Sequence, residues 1–307
     1  MFSDLPQDIA RTVFELAAEA GDGLSCALVS KQLASRVEPI IYRSICLSGH
    51  SVIDPLHRTL TDPNTSKPAE YFAKHIKFLA ILTFAMRPEV INILRACTGV
   101  RVLVSWGPTF ETDAMRELFS SSYLSPSRLS IVAEADLLPQ GRRRHIDFSL
   151  PIFQGLTHLE LLCASENEWK YWDGLSSLSN LTHLSVEPAS SDTQHTERTR
   201  RILALCPTSL RIFVNWVPSW AFPIGGENEA HAIMINNGDV DPRAIMAWWG
   251  KPEGNEYMSR YEYALRYSSG SRLNEWLGKA TGKDFWELAE EIVERRRKWL
   301  QKRRSES

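Results

Sequence analysis

The chain has 307 residues, of which 43% are hydrophobic and 23% charged, and its formal net charge at pH 7 is −2. This balance is typical of a globular protein with a sizeable core, and the small net charge carries no signature of nucleic-acid or membrane binding. There is no apolar run of about 18 residues and no signal-peptide pattern, so we expect neither membrane insertion nor secretion. Five widely spaced cysteines without a CxxC pair favour reduced thiols in the cytoplasm or nucleus over disulfides or a zinc site.

The first segment of the chain predicts a helical hairpin. Pro6 stands where a first helical turn tolerates proline, and apolar residues then recur at helical spacing through residues 9–16. The Gly-Asp-Gly sequence at 21–23 predicts a break between two helices. The second helix is expected to end at Pro39, because the residue before a proline avoids helical angles, and the alternation in residues 41–47 predicts a strand.

Three short motifs in this segment resemble the F-box of fungal F-box proteins. They are Leu-Pro-Gln-Asp-Ile at 5–9, Leu-Val-Ser-Lys at 28–31 and Pro-Ile-Ile-Tyr-Arg at 39–43. The segment departs from the family pattern at Asp8, where a glutamate is usual, and at residues 36–37, where a tryptophan is common. All three motifs occur in the family's order, so residues 1–48 are interpreted as an F-box.

The resemblance implies that this segment docks on a Skp-type adaptor, which links the chain to a cullin–RING ubiquitin ligase. The positions that match the family's adaptor-contacting motif are Leu5, Pro6, Ile9, Leu28 and Val29. A small helical hairpin cannot bury its own apolar surface, which is the physical reason to expect a partner. The alternative is that these residues pack only against the rest of the chain.

A strand pattern recurs after the connecting helix and loop expected at residues 49–75. Apolar residues in the spacing apolar-x-x-apolar-x-apolar begin at residues 76, 100, 126, 156, 181 and 210. Intervals of 24 to 30 residues between these starts fit leucine-rich repeats with one overlong unit, although the usual asparagine after the strand is mostly missing. With helical stretches at 88–96 and 196–205, the pattern predicts an α/β, leucine-rich-repeat-like arc over residues 76–222, with parallel strands alternating with helices.

Alternate side chains of such strands face the concave surface of the arc, where a target protein is expected to bind. Tryptophan and arginine dominate interface hot spots, and the alternative is that the tryptophans pack beneath the C-terminal segment. Two histidines on neighbouring strands would lie about 5 Å apart, but a metal site needs further ligands. We therefore expect no metal or cofactor. The candidate target-binding residues are Trp106, Arg128, His158, Glu160, His183, Glu187 and Trp216.

The last part of the chain, residues 223–307, predicts a final strand at 232–235 and a helix at 284–303. Residues 240–275 show no clear pattern. The final helix is acidic first and basic last, which matches the helix dipole, although a basic run is also typical of a nuclear import signal or a nucleic-acid contact. The helix is expected to cap the open end of the arc.

Catalytic motifs are absent from the sequence: it contains no GxSxG, P-loop, GxGxxG or HExxH pattern. We therefore expect a non-catalytic subunit, monomeric within a hetero-complex, that bridges a Skp-type adaptor and an unknown target protein without contacting nucleic acid or membrane. Two other classes stay open. One is a repeat scaffold that works without a ligase, and the other is an enzyme whose site is assembled across repeats.

Overall fold

A single parallel sheet runs through the computed structural model. The structure describes residues 6–65, 67–68, 70–82, 87–107, 113–132, 146–164, 172–188, 195–217, 226–249, 265–267, 272–278 and 282–306. In this part of the chain nine strands pair in sequence order, each with the strand before it. The strands are β1 Ser44–Leu47, β2 Phe78–Ile81, β3 Val102–Ser105, β4 Arg128–Val132, β5 His158–Ala164, β6 His183–Pro188, β7 Ile212–Val217, β8 Ala244–Trp249 and β9 Leu265–Tyr267.

Helices precede the sheet, connect most of its strands and follow it. At the N-terminus lie α1 Gln7–Ala17, a π-helical turn Ala18–Asp22, α2 Gly23–Ala27 and α3 Lys31–Arg43. The connecting helices are α4 His50–Thr61, α5 Tyr71–His75, α6 Pro88–Ala96, α7 Asp113–Ser120, α8 Pro151–Gln154, α9 His195–Leu205 and α10 Gly226–Asn237, with a 3-10 turn at Asp173–Ser177. The chain closes with α11 Arg272–Trp276 and α12 Phe285–Glu306. The predicted α/β fold of parallel strands alternating with helices is confirmed.

The leucine pattern builds the main core on the face of the sheet that the connecting helices cover. Equivalent apolar residues on consecutive strands stand in register, and all are essentially inaccessible to solvent. They pack against apolar residues of helices α4 to α10. Each repeat unit consists of one strand and the connection that follows it, and it buries its apolar face against the neighbouring units, so every unit extends the same core. The residues in this row are Leu79, Leu103, Leu129, Leu159, Leu184 and Phe213.

Hydroxyl side chains form hydrogen bonds at the amino-terminal ends of neighbouring strands. Ser127 Oγ donates to the Arg101 carbonyl at 3.2 Å, Thr157 Oγ1 to the Ser127 carbonyl at 3.0 Å, and Thr182 Oγ1 to the Thr157 carbonyl at 3.1 Å. Each donor immediately precedes a strand and bonds to the unit before it. This ladder adds side-chain hydrogen bonds to those of the backbone in a sheet whose repeats lack the usual asparagine.

Two predictions at the segment boundaries are wrong. Pro39 lies inside α3, which continues to Arg43, so the strand predicted from residue 41 begins only at Ser44. The backbone carbonyl that loses its bond to the proline belongs to Ser35, which lies on an exposed turn where water can replace the bond. The strand expected at 232–235 is part of α10: Ala232 and Ile235 are buried while Ile233 is exposed, which is helical and not strand periodicity.

We define the C-terminal segment as α11, α12 and the described residues between them. It covers the opposite face of the sheet, which we call the second face. A second core joins Val104 and Trp216 on the strands to Trp276, Phe285 and Trp286 on the two helices. The helix predicted at 284–303 therefore exists as α12, but the prediction that it caps an end of the arc is wrong. Its apolar side is long enough to pack across several strands, and burial of that apolar surface stabilises this position.

Candidate functional site

An apolar surface is exposed on the N-terminal helices. We call it the N-terminal apolar surface. Ile9 is 48% exposed and Leu28 is 88% exposed, and no residue of α1 is buried although all of that helix is described. Pro6 is also exposed, whereas Leu5 lies outside the described residues. Three of the predicted adaptor-contacting residues, Ile9, Leu28 and Val29, are therefore exposed apolar residues. The residues of the surface are Ile9, Val13, Leu16, Leu24, Leu28 and Val29.

The exposure of this surface follows from the small size of the core beneath it. Among the described residues, only Ala18, Cys26 and Val37 are buried in that core, with Phe14 and Ile41 partly buried beside them. These small side chains cannot cover the opposite sides of α1 and α2. Burying a large apolar side chain is worth about 1.5–3 kcal/mol, so several such side chains left in water together mark an interaction surface.

A buried carboxylate occupies the middle of the second face. Glu160 on β5 is 0% exposed, and its carboxylate accepts hydrogen bonds from Ser130 Oγ at 2.5 Å and Ser185 Oγ at 3.4 Å. Arg272 of α11, only 7% exposed, forms an ion pair with Glu160 and donates to Glu187 at 2.8 Å. The positive charge for this carboxylate therefore comes from the C-terminal segment and not from a neighbouring strand.

Two tryptophans complete the same network on either side of the carboxylate. Trp106 Nε1 donates to Ser130 Oγ at 2.7 Å, and Trp216 Nε1 donates to Ser185 Oγ at 2.7 Å. The guanidinium of Arg272 also lies over the Trp216 ring, 4.7 Å from its centroid. Each serine thus accepts from a tryptophan and donates to the carboxylate, and a connected network of this kind favours one arrangement of its members.

The two predicted strand histidines stack on each other beneath α12. The rings of His158 and His183 lie 4.1 Å apart and 2° from parallel, and Trp286 meets them edge-on at 5.3 and 5.4 Å. Burial, His183 and Arg128 lower the pKa of His158 to about 2, and burial lowers the pKa of His183 although Glu290 lies 3.2 Å from it. Both imidazoles are therefore neutral at pH 7. No group of described residues provides three metal-ligating side chains.

Lowering the pH from 6.5 to 5.5 should destabilise the fold through His158. Its pKa of about 2 lies below the unfolded value of 6.5, so the unfolded chain binds the extra proton throughout this range. The stabilisation is nearly complete above about pH 7.5, falls by about 1 kcal/mol between pH 6.5 and 5.5, and approaches a slope of about 1.4 kcal/mol per pH unit at lower pH. Urea unfolding at several pH values measures this slope. His158→Gln should flatten it and the exposed His50→Gln should not; an unchanged slope in His158→Gln would contradict the assignment.

The expected open target-binding face needs correction, because the C-terminal segment covers it. Glu160, His183 and Trp216 are buried, and Arg128 is partly exposed and paired with Asp284 at 3.1 Å. Trp216 packs beneath the C-terminal segment, which is the alternative that the sequence analysis gave for the tryptophans. Trp106, His158 and Glu187 keep partial exposure.

Sequence reasoning did not identify the partners of these residues. Arg272 falls in the stretch without a clear pattern, and Trp286 was not assigned a role within the predicted helix. Arg272 close to Leu273 and Trp276, and Trp286 next to Phe285, were the signals that pointed to a covered face. Neither signal says which strand residues it matches, because the paired residues lie more than a hundred positions apart.

No protein-family model matches this chain, and no curated protein is significantly similar to it. Among the described residues, no helix combines the length and the hydropathy that crossing a bilayer requires. Functional inference for this chain therefore rests on its own residues and their arrangement.

Proposed function

We propose that this chain is an F-box-type subunit that binds a Skp-type adaptor through the N-terminal apolar surface and positions a target protein for a cullin–RING ubiquitin ligase. The observation that carries the proposal is the exposure of that surface. Ile9, Leu28 and Val29 are exposed apolar residues at positions that match the adaptor-contacting motif. Without a partner, such a surface has a solvation cost that docking removes.

The geometry of α1 supports docking into a groove of another protein. Ile9, Val13 and Leu16 follow one another at helical spacing, so they form a single stripe on the solvent side of the helix. Amphipathic helices that present such a stripe bind apolar grooves of partner proteins. The chain then contributes positioning and no bond chemistry, because a tethered target gains effective concentration near the ubiquitin-loaded enzyme.

The sheet supports the second half of the proposal, a leucine-rich-repeat-like arc that holds an unknown target. Successive strands in sequence order, each with its own connection, are the organisation of repeat arrays. Since the C-terminal segment covers the second face, the target would contact side chains that keep partial exposure. Arg128, His158 and Glu187 are the charged or polar candidates that meet this condition.

A repeat scaffold that works without a ligase is the second candidate function. The covered second face favours it over the ligase subunit, because repeat proteins commonly bind a target on such a face and here the C-terminal segment occupies it. In that case the N-terminal apolar surface would receive a partner other than a Skp-type adaptor.

Leu28→Asp should strongly weaken capture of a purified Skp-type adaptor by this chain. Introducing a charge into a central apolar contact costs at least about 2 kcal/mol, which is a loss of about 30-fold in affinity. The measurement is co-purification, followed by titration calorimetry with the purified adaptor. Because Leu28 is highly exposed, thermal unfolding of the variant should match that of the wild type.

Ile233→Asp is the matched control, since it places the same charge at an exposed apolar position on α10. It should bind the adaptor as the wild type does. If the folded wild-type chain captures no adaptor, the ligase proposal fails and the scaffold candidate stands. Equal loss in both variants would show that the effect is not specific to the N-terminal apolar surface.

A further inference from the structure

The N-terminal helices join the sheet without a linker. The last residue of α3 is Arg43 and the first residue of β1 is Ser44. The Lys77 amide donates to the Arg43 carbonyl at 2.9 Å, so hydrogen bonding toward the second strand already begins at the end of the helix. A hinge between two bodies needs residues that absorb changes in backbone angles, and this junction has no free residues for that purpose.

Side chains on the connecting-helix side reinforce the junction. Tyr42 of α3 meets Tyr71 and Phe72 of α5 edge-on, with ring centroids 5.8 and 5.5 Å apart. Lys67 forms an ion pair with Glu38 at 3.2 Å and lies over the Tyr42 ring at 5.6 Å. Aromatic edge contacts each add about 0.5–1.5 kcal/mol beyond the area they bury, so this cluster resists bending of α3 away from the sheet.

The C-terminal segment contacts the same junction from the second face. Ser44 Oγ donates to the Leu277 carbonyl at 3.1 Å. Gly278 follows with φ +66°, and a Cβ atom there would lie 2.9 Å from the ring of Phe78 on β2. The chain can turn this close to Phe78 because glycine adopts positive φ freely and has no side chain.

The same segment then reaches the far end of the sheet. Asp284 pairs with Arg128 on β4, and Trp286 meets the stacked rings on β5 and β6. Arg296, only 1% exposed, donates to four backbone carbonyls at the end of α10 and the start of β8. One continuous segment therefore contacts the sheet from its first strand to its eighth.

We propose that the C-terminal segment is a brace that holds the N-terminal apolar surface at one fixed position relative to the sheet, so that the chain presents its partners as a single rigid body. The brace acts from the face opposite the aromatic cluster, and the junction is thus held on both sides. This property goes beyond the proposed function and does not depend on which protein binds the N-terminal apolar surface.

The test measures the distance between the N-terminal helices and the sheet in solution. Spin labels are attached at Ser25→Cys on α2 and at Thr208→Cys before β7, both exposed positions. The chain without these substitutions measures labelling of the native cysteines. Double electron–electron resonance should give one narrow distance distribution in the full chain. A broad or multimodal distribution in that chain would overturn the proposal.

Gly278→Val should broaden the distribution at least about twofold, because its side chain meets the Phe78 ring at the junction. Gly282→Val is the matched control: its φ of +106° strains a valine at least as much as the φ of Gly278, but no described residue lies within 4 Å of an added Cβ. The control should keep the narrow distribution. An unchanged distribution in folded Gly278→Val would overturn the proposal.

If Gly278→Val does not fold, Ser44→Ala replaces it as the test. This substitution removes only the hydrogen bond to Leu277 and should broaden the distance distribution by a smaller amount. No broadening in Ser44→Ala would count against the brace.

Discussion

Arg272→Met should destabilise the folded chain by about 3–5 kcal/mol, because it leaves the buried carboxylate of Glu160 without its positive partner. Ser130 and Ser185 continue to donate to that carboxylate, but two neutral hydroxyls do not replace a guanidinium. The stacking of Arg272 on Trp216 is lost at the same time. The free energy of unfolding from urea titration at pH 7 measures the effect.

Two variants separate the buried charge from other effects of the substitution. Arg297→Met removes an arginine whose side chain is 54% exposed and which pairs with Glu294, and the expected change is below about 1 kcal/mol. Adding Glu160→Gln to Arg272→Met removes the unpaired charge and should recover part of the lost stability. A loss below about 1 kcal/mol in Arg272→Met would show that Glu160 is solvated or otherwise neutralised.

Arg296→Leu is expected to cost about 2–4 kcal/mol, since the guanidinium is buried and donates to four backbone carbonyls. Its Nη1 bonds to Ile235 at 3.3 Å and to Asn236 at 2.8 Å, and its Nη2 bonds to Pro242 at 2.6 Å and to Ala244 at 2.9 Å. A buried acceptor left unpaired typically costs about 1–3 kcal/mol, although part of this cost is relieved when water enters.

Lys298→Met provides the comparison for Arg296→Leu, because it removes a cation two residues further along α12 whose side chain is 73% exposed. Its free energy of unfolding should stay close to that of the wild type. Amide hydrogen exchange locates the damage: in Arg296→Leu, protection should fall first in α10 and β8, where the four carbonyls lie. Loss of protection confined to α12 would contradict the role of Arg296 as a link between these elements.

Much of the fold was predictable because it follows from local spacing. The stripe from Ile9 to Leu16 requires only helical periodicity, and the structure places it on α1. The recurring leucines predicted parallel strands with helices between them, and residues such as Leu159 and Leu184 stand in register as consecutive units require. In each case the residues that define the element lie within a few positions of one another.

Predictions failed where a short segment was ambiguous or where a partner lay far along the chain. Four consecutive apolar residues at 232–235 are compatible both with a buried strand and with a helix that buries only some of them, and only the packing of α10 decides between the two. The covering of the second face depends on contacts such as Arg272 with Glu160, which are separated by 112 positions. No local pattern records which distant residue fills a given surface.

The sequence by itself therefore determined the helical hairpin with its apolar stripe, the repeating parallel strands and the acidic-to-basic helix at the end of the chain. The tertiary structure decided that the stripe stays in water, that Trp216 and Glu160 are buried, and that α12 lies across the sheet. The reason is physical: periodicity states which side of an element is apolar, whereas burial depends on whether another part of the chain can reach that side. The C-terminal segment reaches the second face of the sheet, and none of the described residues covers the outer side of α1.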